Sequence, residues 1–307
     1  MLIALTGATG FIGQHLLHFL PKRGYRLRAI MRRSISLPDG IESVLIGDLT
    51  RPRNLAAALE GVDAVIHAAG LSHAMSGFNE DDYRTVNTEA SISLARAAER
   101  SGVKRFVLLS SIRAQCGPTA HTIQTETNEP QPTDAYGRSK LAAELGLARL
   151  DLDWVALRAV LVYGPGVKGN MAQLARLARS PLPLPLGSLQ ARRSLLAVEN
   201  LAAAIETVLG APGPLGRPLI VADRETLTVG EMIAAMRLGL GRQPNVFSFP
   251  AGLLRLLLRG TGRFEICERL SGPLVARPLA LTDLGWIPPI MTPAGLAGMM
   301  QAMAGPR

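Results

Sequence analysis

Leu2-Ile3-Ala4-Leu5-Thr6-Gly7-Ala8-Thr9-Gly10-Phe11-Ile12-Gly13 opens the chain and decides its architecture. Leu2 to Leu5 is a short apolar run, as expected for a parallel strand buried on both faces. Gly7, Gly10 and Gly13 follow at three-residue intervals, and a helical pattern then runs from Phe11 to Leu20 and stops at Pro21. In a strand-turn-helix phosphate site, one glycine permits the tight turn and one lets the backbone approach a pyrophosphate. The third lets helix and strand pack closely. The free amides and the positive end of the helix dipole then face the phosphates. A glycine triplet alone is also compatible with an ordinary turn. Its position after an N-terminal strand and before a helix makes it a dinucleotide site, with Gly7, Thr9, Gly10, Phe11, Ile12 and Gly13 against the cofactor.

The second strand, Arg26 to Met31, ends where NAD-selective folds place an acidic residue on the adenosine ribose. Here Met31 is followed by Arg32 and Arg33. No carboxylate repels a 2′-phosphate, and two guanidiniums are available to pair with one, which favours NADP over NAD. The alternative is that both arginines are solvated surface charges. Apolar strands alternate with helical stretches to about residue 160, pointing to a doubly wound parallel sheet, a Rossmann-like α/β fold. The expected organisation is a dinucleotide-binding domain over 1–160, with segments returning to the sheet near 194–222. A smaller, discontinuous lobe takes 161–193 and 223–307. The proline-rich stretch 181–185 reads as a loop leading to the substrate.

The strand Phe106 to Leu109 ends at Ser110-Ser111, and a helix is expected to start near Thr133-Asp134, placing Tyr136 and Lys140 at i and i+4 on one face. A free phenol has a pKa of about 10 and is a poor base at neutral pH. A neighbouring ammonium favours the phenolate and lowers that value. Tyr136 can then exchange a proton with a carbinol or carbonyl, Ser111 can hydrogen-bond the same oxygen, and Lys140 can reach the nicotinamide ribose. A Tyr-x-x-x-Lys pair by itself equally describes an amphipathic helix surface. After the glycine run and the strand-Ser-Ser element it reads as catalytic.

The Gly-x-x-Gly-x-x-Gly spacing, the Ser111-to-Tyr136 separation and the Tyr136-x-x-x-Lys140 pair resemble the short-chain dehydrogenase/reductase superfamily. The length and C-terminal part resemble its extended branch of nucleotide-sugar epimerases, dehydratases and reductases. The resemblance implies that Asp48 and Leu49 lie by the adenine. It also implies that His67, Ala68 and Ala69 form the small-residue floor under the cofactor, and that Asn87 braces the active-site helix. The stretch from Arg158 through Tyr163-Gly164-Pro165-Gly166 to Arg193 is similar to enzymes of surface-polysaccharide synthesis, the UDP-hexose 4-epimerases and UDP-4-keto-6-deoxy-N-acetylhexosamine 4-reductases. By that resemblance Asn170 and Arg193 hold the substrate diphosphate, and Arg192 and Lys168 are weaker candidates. The implied activity is NADP(H)-dependent reduction at carbon 4 of a UDP sugar. A 4-epimerase is the alternative, and a non-catalytic cofactor sensor is a third reading that retention of both Tyr136 and Lys140 argues against. A homodimer is also implied.

Two departures bear on the substrate. Many UDP-hexose 4-epimerases keep an asparagine where this chain has the apolar Ala159-Val160-Leu161-Val162. The turn Ile112-Arg113-Ala114-Gln115-Cys116-Gly117 lacks their tyrosine-glycine ending, which leaves Gln115 or Arg113 to address an acetamido or nucleotide group.

At 307 residues the chain can bury one sizeable core and a smaller lobe. Its net charge of +9 is spread along the chain with only 4% aromatics, so nucleic acid is not an expected partner; anionic cofactor and substrate account for part of the excess. Cys116 and Cys267 offer no disulfide framework and suit a reducing cytoplasm. The histidines show no metal-ligand spacing. The apolar start lacks a basic n-region, so no signal peptide is expected. The run Leu253 to Arg259 is too short and charged to span a membrane and is read as a lobe helix, or else as a surface amphipathic helix. Trp286, in Leu284-Gly285-Trp286, is expected in the core.

Overall fold

The computed structural model describes residues 1–72, 77–250 and 272–304. Its strands are β1 (Leu2–Thr6), β2 (Arg26–Met31), β3 (Glu42–Leu45), β4 (Ala64–His67), β5 (Arg105–Ser111), β6 (Trp154–Ala159), β7 (Leu161–Tyr163), β8 (Arg193–Ala197), β9 (Arg217–Val221) and β10 (Thr226–Leu227). Seven of them form one sheet in the order β3-β2-β1-β4-β5-β6-β9, every pairing parallel. The direction of strand succession reverses between β1 and β4. That switch point opens a crevice at the carboxyl ends of the strands, where open α/β sheets bind ligands.

Both faces of the sheet are covered, which explains the unbroken apolar strands. On one face Ile3, Leu5, Val107 and Leu157 pack with Leu16 and Leu20 of α1 (Phe11–Lys22) and Leu201 and Ile205 of α7 (Val198–Gly210). On the other, Ala4, Val65, Phe106 and Leu108 meet α2 (Leu55–Leu59), α4 (Ala90–Arg100) and α5 (Ala135–Leu147). The helix from α3 (Glu80–Tyr83) into α4 passes through a π-helical turn, Arg84–Glu89, of the kind often found at functional sites. Helix α1 does not stop at Pro21. Pro21 costs α1 one i→i−4 hydrogen bond but leaves a single further residue to continue, and Gly24, at φ +83°, closes the helix by donating to the Pro21 carbonyl.

The lobe is built on α6 (Gly169–Ala178), α8 (Val229–Gly239) and α10 (Thr292–Ala304), with its own core of Met171, Leu174, Met232, Met236, Leu296 and Met300. Two expectations about the boundary change. Leu195-Leu196 does not rejoin the large sheet: β8 lies between β7 and β10 in a separate three-stranded sheet. Leu195 faces the lobe core and Leu196 the sheet core, so a strand at the seam of two cores reads like an interior parallel strand. The C-terminal part also divides. Leu274, Ala276, α9 (Leu279–Asp283) and Trp286 pack on the sheet core, whereas α10 belongs to the lobe. Trp286 is core, as expected. Among the described residues no helix is long and apolar enough to cross a membrane. The run Leu253 to Arg259 and Cys267 lie outside the described residues.

Candidate active site

The turn between β1 and α1 is shaped by two close approaches. Gly7 has φ +73°, and a Cβ there would lie 2.5 Å from the Ala68 backbone. A Cβ on Gly13 would lie 2.1 Å from the Gly7 carbonyl oxygen, so helix and turn touch without intervening side chains. Gly10 is the N-cap of α1 and offers no side-chain cap. The first amides of the helix therefore stay available to an anion. Beside this turn lies a cleft of about 380 Å³ lined by Gly7, Thr9, Met31, Arg32, Arg33, Asp48, Leu49 and Ala69, together with Leu71 and Val86. The uncapped amides, the side-chain-free cradle and the adjoining cleft fit a dinucleotide. Leu71 and Val86 escaped the sequence reading because they reach the cleft only through the β4 loop and the π-helical turn.

Arg32 and Arg33 are exposed on the rim, and the strand end carries no carboxylate. Asp48 is exposed nearby. Its carboxylate accepts hydrogen bonds from the Thr50 amide and hydroxyl, both at 2.8 Å, which hold it below the usual carboxylate range with the nearby Arg32 charge adding to the effect. His67, expected in the cofactor floor, has its side chain elsewhere. It is wholly buried between Thr6 Oγ1 (2.7 Å) and Ser91 Oγ (2.8 Å), and burial, with the Lys140 charge, pushes the imidazole down to about 3. A neutral ring pinned at both nitrogens supports the floor from beneath. Ala68 backs the turn at Gly7, and only Ala69 of the three lines the cleft.

At the ends of β5 and α5 the proposed catalytic groups meet. Asp134 caps α5 by accepting from the Gly137 amide at 2.7 Å, which sets Tyr136 and Lys140 on one face of the first turns. Tyr136 and Ser111 are hydrogen-bonded through their side chains. Lys140 Nζ donates to the Leu109 carbonyl at 3.0 Å and lies beside Gly70, with burial lowering the ammonium to about 8. Asn87, in the π-helical turn, donates to Ser139 Oγ at 3.1 Å and clasps both backbone groups of Leu71, bracing α5 as expected. One electrostatic expectation is reversed. Burial raises the Tyr136 phenol; the Ser111 hydrogen bond and the Arg113 charge oppose the rise, and Tyr83 adds to it. Arg113, from the turn after β5, adds a cation to the surroundings of the phenol.

Arg193, on β8, is 7% exposed and donates to the carbonyls of Gly272 and Pro118, while its Nε has no partner among the described residues. Burial lowers its guanidinium to about 10, and Arg113 contributes. Asn170 is the second residue of α6 and makes no hydrogen bond to Arg193 among the described residues. Arg192 is turned outward to Thr226 and Glu231. Gln115 is not free to address a substrate. It is 1% exposed, its oxygen accepts from Arg158, and its amide donates to the Asn128 carbonyl at 2.6 Å. Arg158 in turn pairs with Glu144 of α5 at 2.6 Å, a buried ion pair behind the catalytic face. A second hollow, about 450 Å³ and lined by Met1, Asp63, Lys104 and Arg105, lies at the amino ends of the strands, away from this chemistry.

A doubly wound sheet, a glycine turn feeding a dinucleotide cleft and a Ser-Tyr-Lys group at the carboxyl ends of the strands define a nicotinamide-dependent enzyme. The sequence matches the NAD dependent epimerase/dehydratase family over residues 3–221. The chain belongs to that family. It is 33% identical to a UDP-glucose 4-epimerase of Vibrio cholerae, covering 98% of this chain and 94% of that protein. It is 32% identical to a ceramide reductase of Caulobacter vibrioides, covering 81% of this chain and 73% of that one. Among solved structures it is similar to MoeE5 in complex with UDP-glucose and NAD, at a TM-score of 0.77 and 25% identity over 98% of each chain.

Proposed function

We propose that this protein carries out oxidoreduction at carbon 4 of a UDP-linked hexose, and that the reaction is a 4-epimerisation. The observation that carries the reading is the Ser111–Tyr136 hydrogen bond beside Lys140, whose ammonium lies by Gly70, between the cleft residues Ala69 and Leu71. Full-length similarity to an epimerase that acts on UDP-glucose supports the substrate class.

Gly7, Thr9 and the amides of Phe11, Ile12 and Gly13 would hold the pyrophosphate, Asp48 and Leu49 the adenine end, and Ala69 and Lys140 the nicotinamide end. When bound, the dinucleotide supplies the acceptor and donor of hydride. Tyr136 takes the proton of the C4 hydroxyl as the alcohol becomes a ketone, and returns it when the ketone is reduced on its other face. Ser111 hydrogen-bonds the same oxygen and steadies its developing charge. Lys140 and Arg113 offset the cost of the phenolate. Asn170 and Arg193 are proposed for the diphosphate, where a guanidinium fork suits phosphate geometry.

A second reading, an NADPH-dependent reductase of a 4-keto sugar nucleotide, is favoured by Arg32 and Arg33 on a rim whose strand end has no carboxylate. The two readings separate in one assay. With UDP-glucose and a catalytic amount of NAD, epimerisation yields UDP-galactose by NMR. Net loss of the 340 nm band with a 4-keto sugar nucleotide and NADPH supports the reductase, and neither outcome refutes both. Arg32→Glu tests the coenzyme: we expect NADPH affinity to fall about tenfold or more relative to NADH, from the loss of a charged hydrogen bond. An unchanged ratio makes the arginines surface charges. A reducing cytoplasm and a homodimer complete the proposal.

A further inference from the structure

Three successive turns of α5 meet three successive residues at the end of β5. Tyr136 is hydrogen-bonded to Ser111, Lys140 Nζ donates to the Leu109 carbonyl at 3.0 Å, and Glu144 Oε1 accepts from Ser110 Oγ at 2.5 Å. The contact of Glu144 reaches further than the other two. Ser110 stands in register with Arg158 on β6, and the Arg158 guanidinium grips the same carboxylate, Nε at 3.2 and 3.1 Å from its two oxygens and Nη2 at 2.6 Å from Oε2. Arg158 Nη1 donates to the Gln115 oxygen, and the Gln115 amide donates to the Asn128 carbonyl at 2.6 Å. Glu144 therefore joins α5 to β5 and β6 and, through Arg158, to the turn after β5.

The side chains of Arg158 and Glu144 are only 4% and 3% exposed. Taking two ions out of water costs about as much as their attraction returns, so a pair buried this deeply is a poor source of stability. What it supplies, and an apolar pair would not, is direction: a carboxylate accepts a hydroxyl and a guanidinium fork in fixed geometry. We propose that Glu144 is a positioning residue: oriented by Arg158, it holds Ser110 against α5 and so sets the neighbouring Ser111 hydroxyl at the Tyr136 phenol. This rests on the reading of Ser111 and Tyr136 as the reacting pair. The Lys140 contact fixes the backbone of β5 at Leu109, and the Ser110 tie, one residue on, fixes which way the last residues of the strand face. The charges agree with this placement, since Glu144 opposes the lowering of the Lys140 ammonium by burial.

The test reads the phenol itself in the full chain, isotope-labelled at the tyrosine Cζ atoms, whose NMR resonances at neutral pH respond to hydrogen bonding of the hydroxyl. It needs neither substrate nor coenzyme. The chain has 4 tyrosines, so Tyr136→Phe assigns the signal, and Ser111→Ala gives the displacement for a lost Ser111 contact. Ser110→Ala removes the tie while Glu144 stays bonded to Arg158. Glu144→Leu combined with Arg158→Met removes the pair without leaving either ion unpaired, so the fold is kept. Each is expected to displace the Tyr136 resonance by about half of the Ser111→Ala displacement or more, and to add almost nothing when Ser111 is already alanine, as for residues acting through one contact. The proposal is overturned if either, folded by near-ultraviolet circular dichroism, leaves the resonance where the parent has it, which is the outcome of a merely structural pair. It is also overturned if the displacement is undiminished in the Ser111→Ala background. Should the double variant not fold, Ser110→Ala decides alone. Full physiological activity in Tyr136→Phe would instead sink the functional reading and leave this measurement untouched.

Discussion

A phenol raised by burial is a proton donor at neutral pH, and it becomes an acceptor only through the cations and the hydroxyl around it. Tyr136→Phe should therefore lower kcat by a factor of about 10² to 10⁴, the usual contribution of a positioned acid/base. Ser111→Ala should cost about 10² to 10³ through the lost oxygen contact. Both should bind dinucleotide like the parent, as fluorescence titration would report; a matching loss of binding makes these residues structural. Lys140 adds a pH dependence. Its ammonium is lowered to about 8, so it is charged below that pH and neutral above it. Dinucleotide affinity should weaken between pH 7 and 9 in the parent. In Lys140→Met it should be uniformly weak, and equal slopes for the two proteins would exclude Lys140 from the cofactor contact.

Two of the elements at the site depend on missing side chains. Gly13 and Gly137 each sit where a Cβ would come within about 2 Å of a backbone carbonyl oxygen, too close for relaxation by rotamer change alone. Gly13→Ala should push α1 from the phosphate turn and abolish dinucleotide binding, measured by calorimetry, while the sheet persists. Gly137→Ala should push α5 from the Arg113 turn, lowering turnover much more than dinucleotide affinity. If Gly137→Ala leaves kcat unchanged, the alignment of that turn with α5 is not needed for chemistry. The glycine spacing of the first of these contacts was legible in the sequence; that of the second was not. A lone glycine inside a helical pattern looks like an ordinary cost to the helix. Only the neighbouring turn shows why no side chain fits.

At the scale of the whole molecule, the sheet and the lobe meet at a buried carboxylate. Asp223 is 2% exposed and accepts from the Ala197 amide, from Asn200 at 2.7 Å and from the Tyr163 hydroxyl at 3.2 Å, tying β7, β8 and α7 together, with Thr292 of α10 alongside. Burial nevertheless pushes the acid up to about 6. Because the folded value lies above the unfolded one, the stability this group contributes is fully present below about pH 4 and is lost as pH rises through 6. The shift corresponds to about 3 kcal/mol at most. Asp223→Asn, neutral throughout, should therefore gain on the parent by up to about 3 kcal/mol in denaturant midpoints between pH 4 and pH 7. Parallel curves would show that the carboxylate is ionised at no cost.

The strand-glycine-helix opening, the apolar strands of the sheet, the Asp134 cap and the Tyr136–Lys140 pair were determined by sequence alone, because each depends on local periodicity, capping or steric rules. Tertiary structure decided what those rules cannot reach. It sent β8 to a second sheet, since a strand at the seam of two cores has the same apolar pattern as one inside a parallel sheet. It buried His67 beneath the floor and consumed Gln115 in the Arg158 network, since the exposure of a polar side chain depends on partners far away in the chain. It also put Arg113 in electrostatic contact with the phenol, because charge interaction follows distance through space, and the turn after β5 folds over the start of α5.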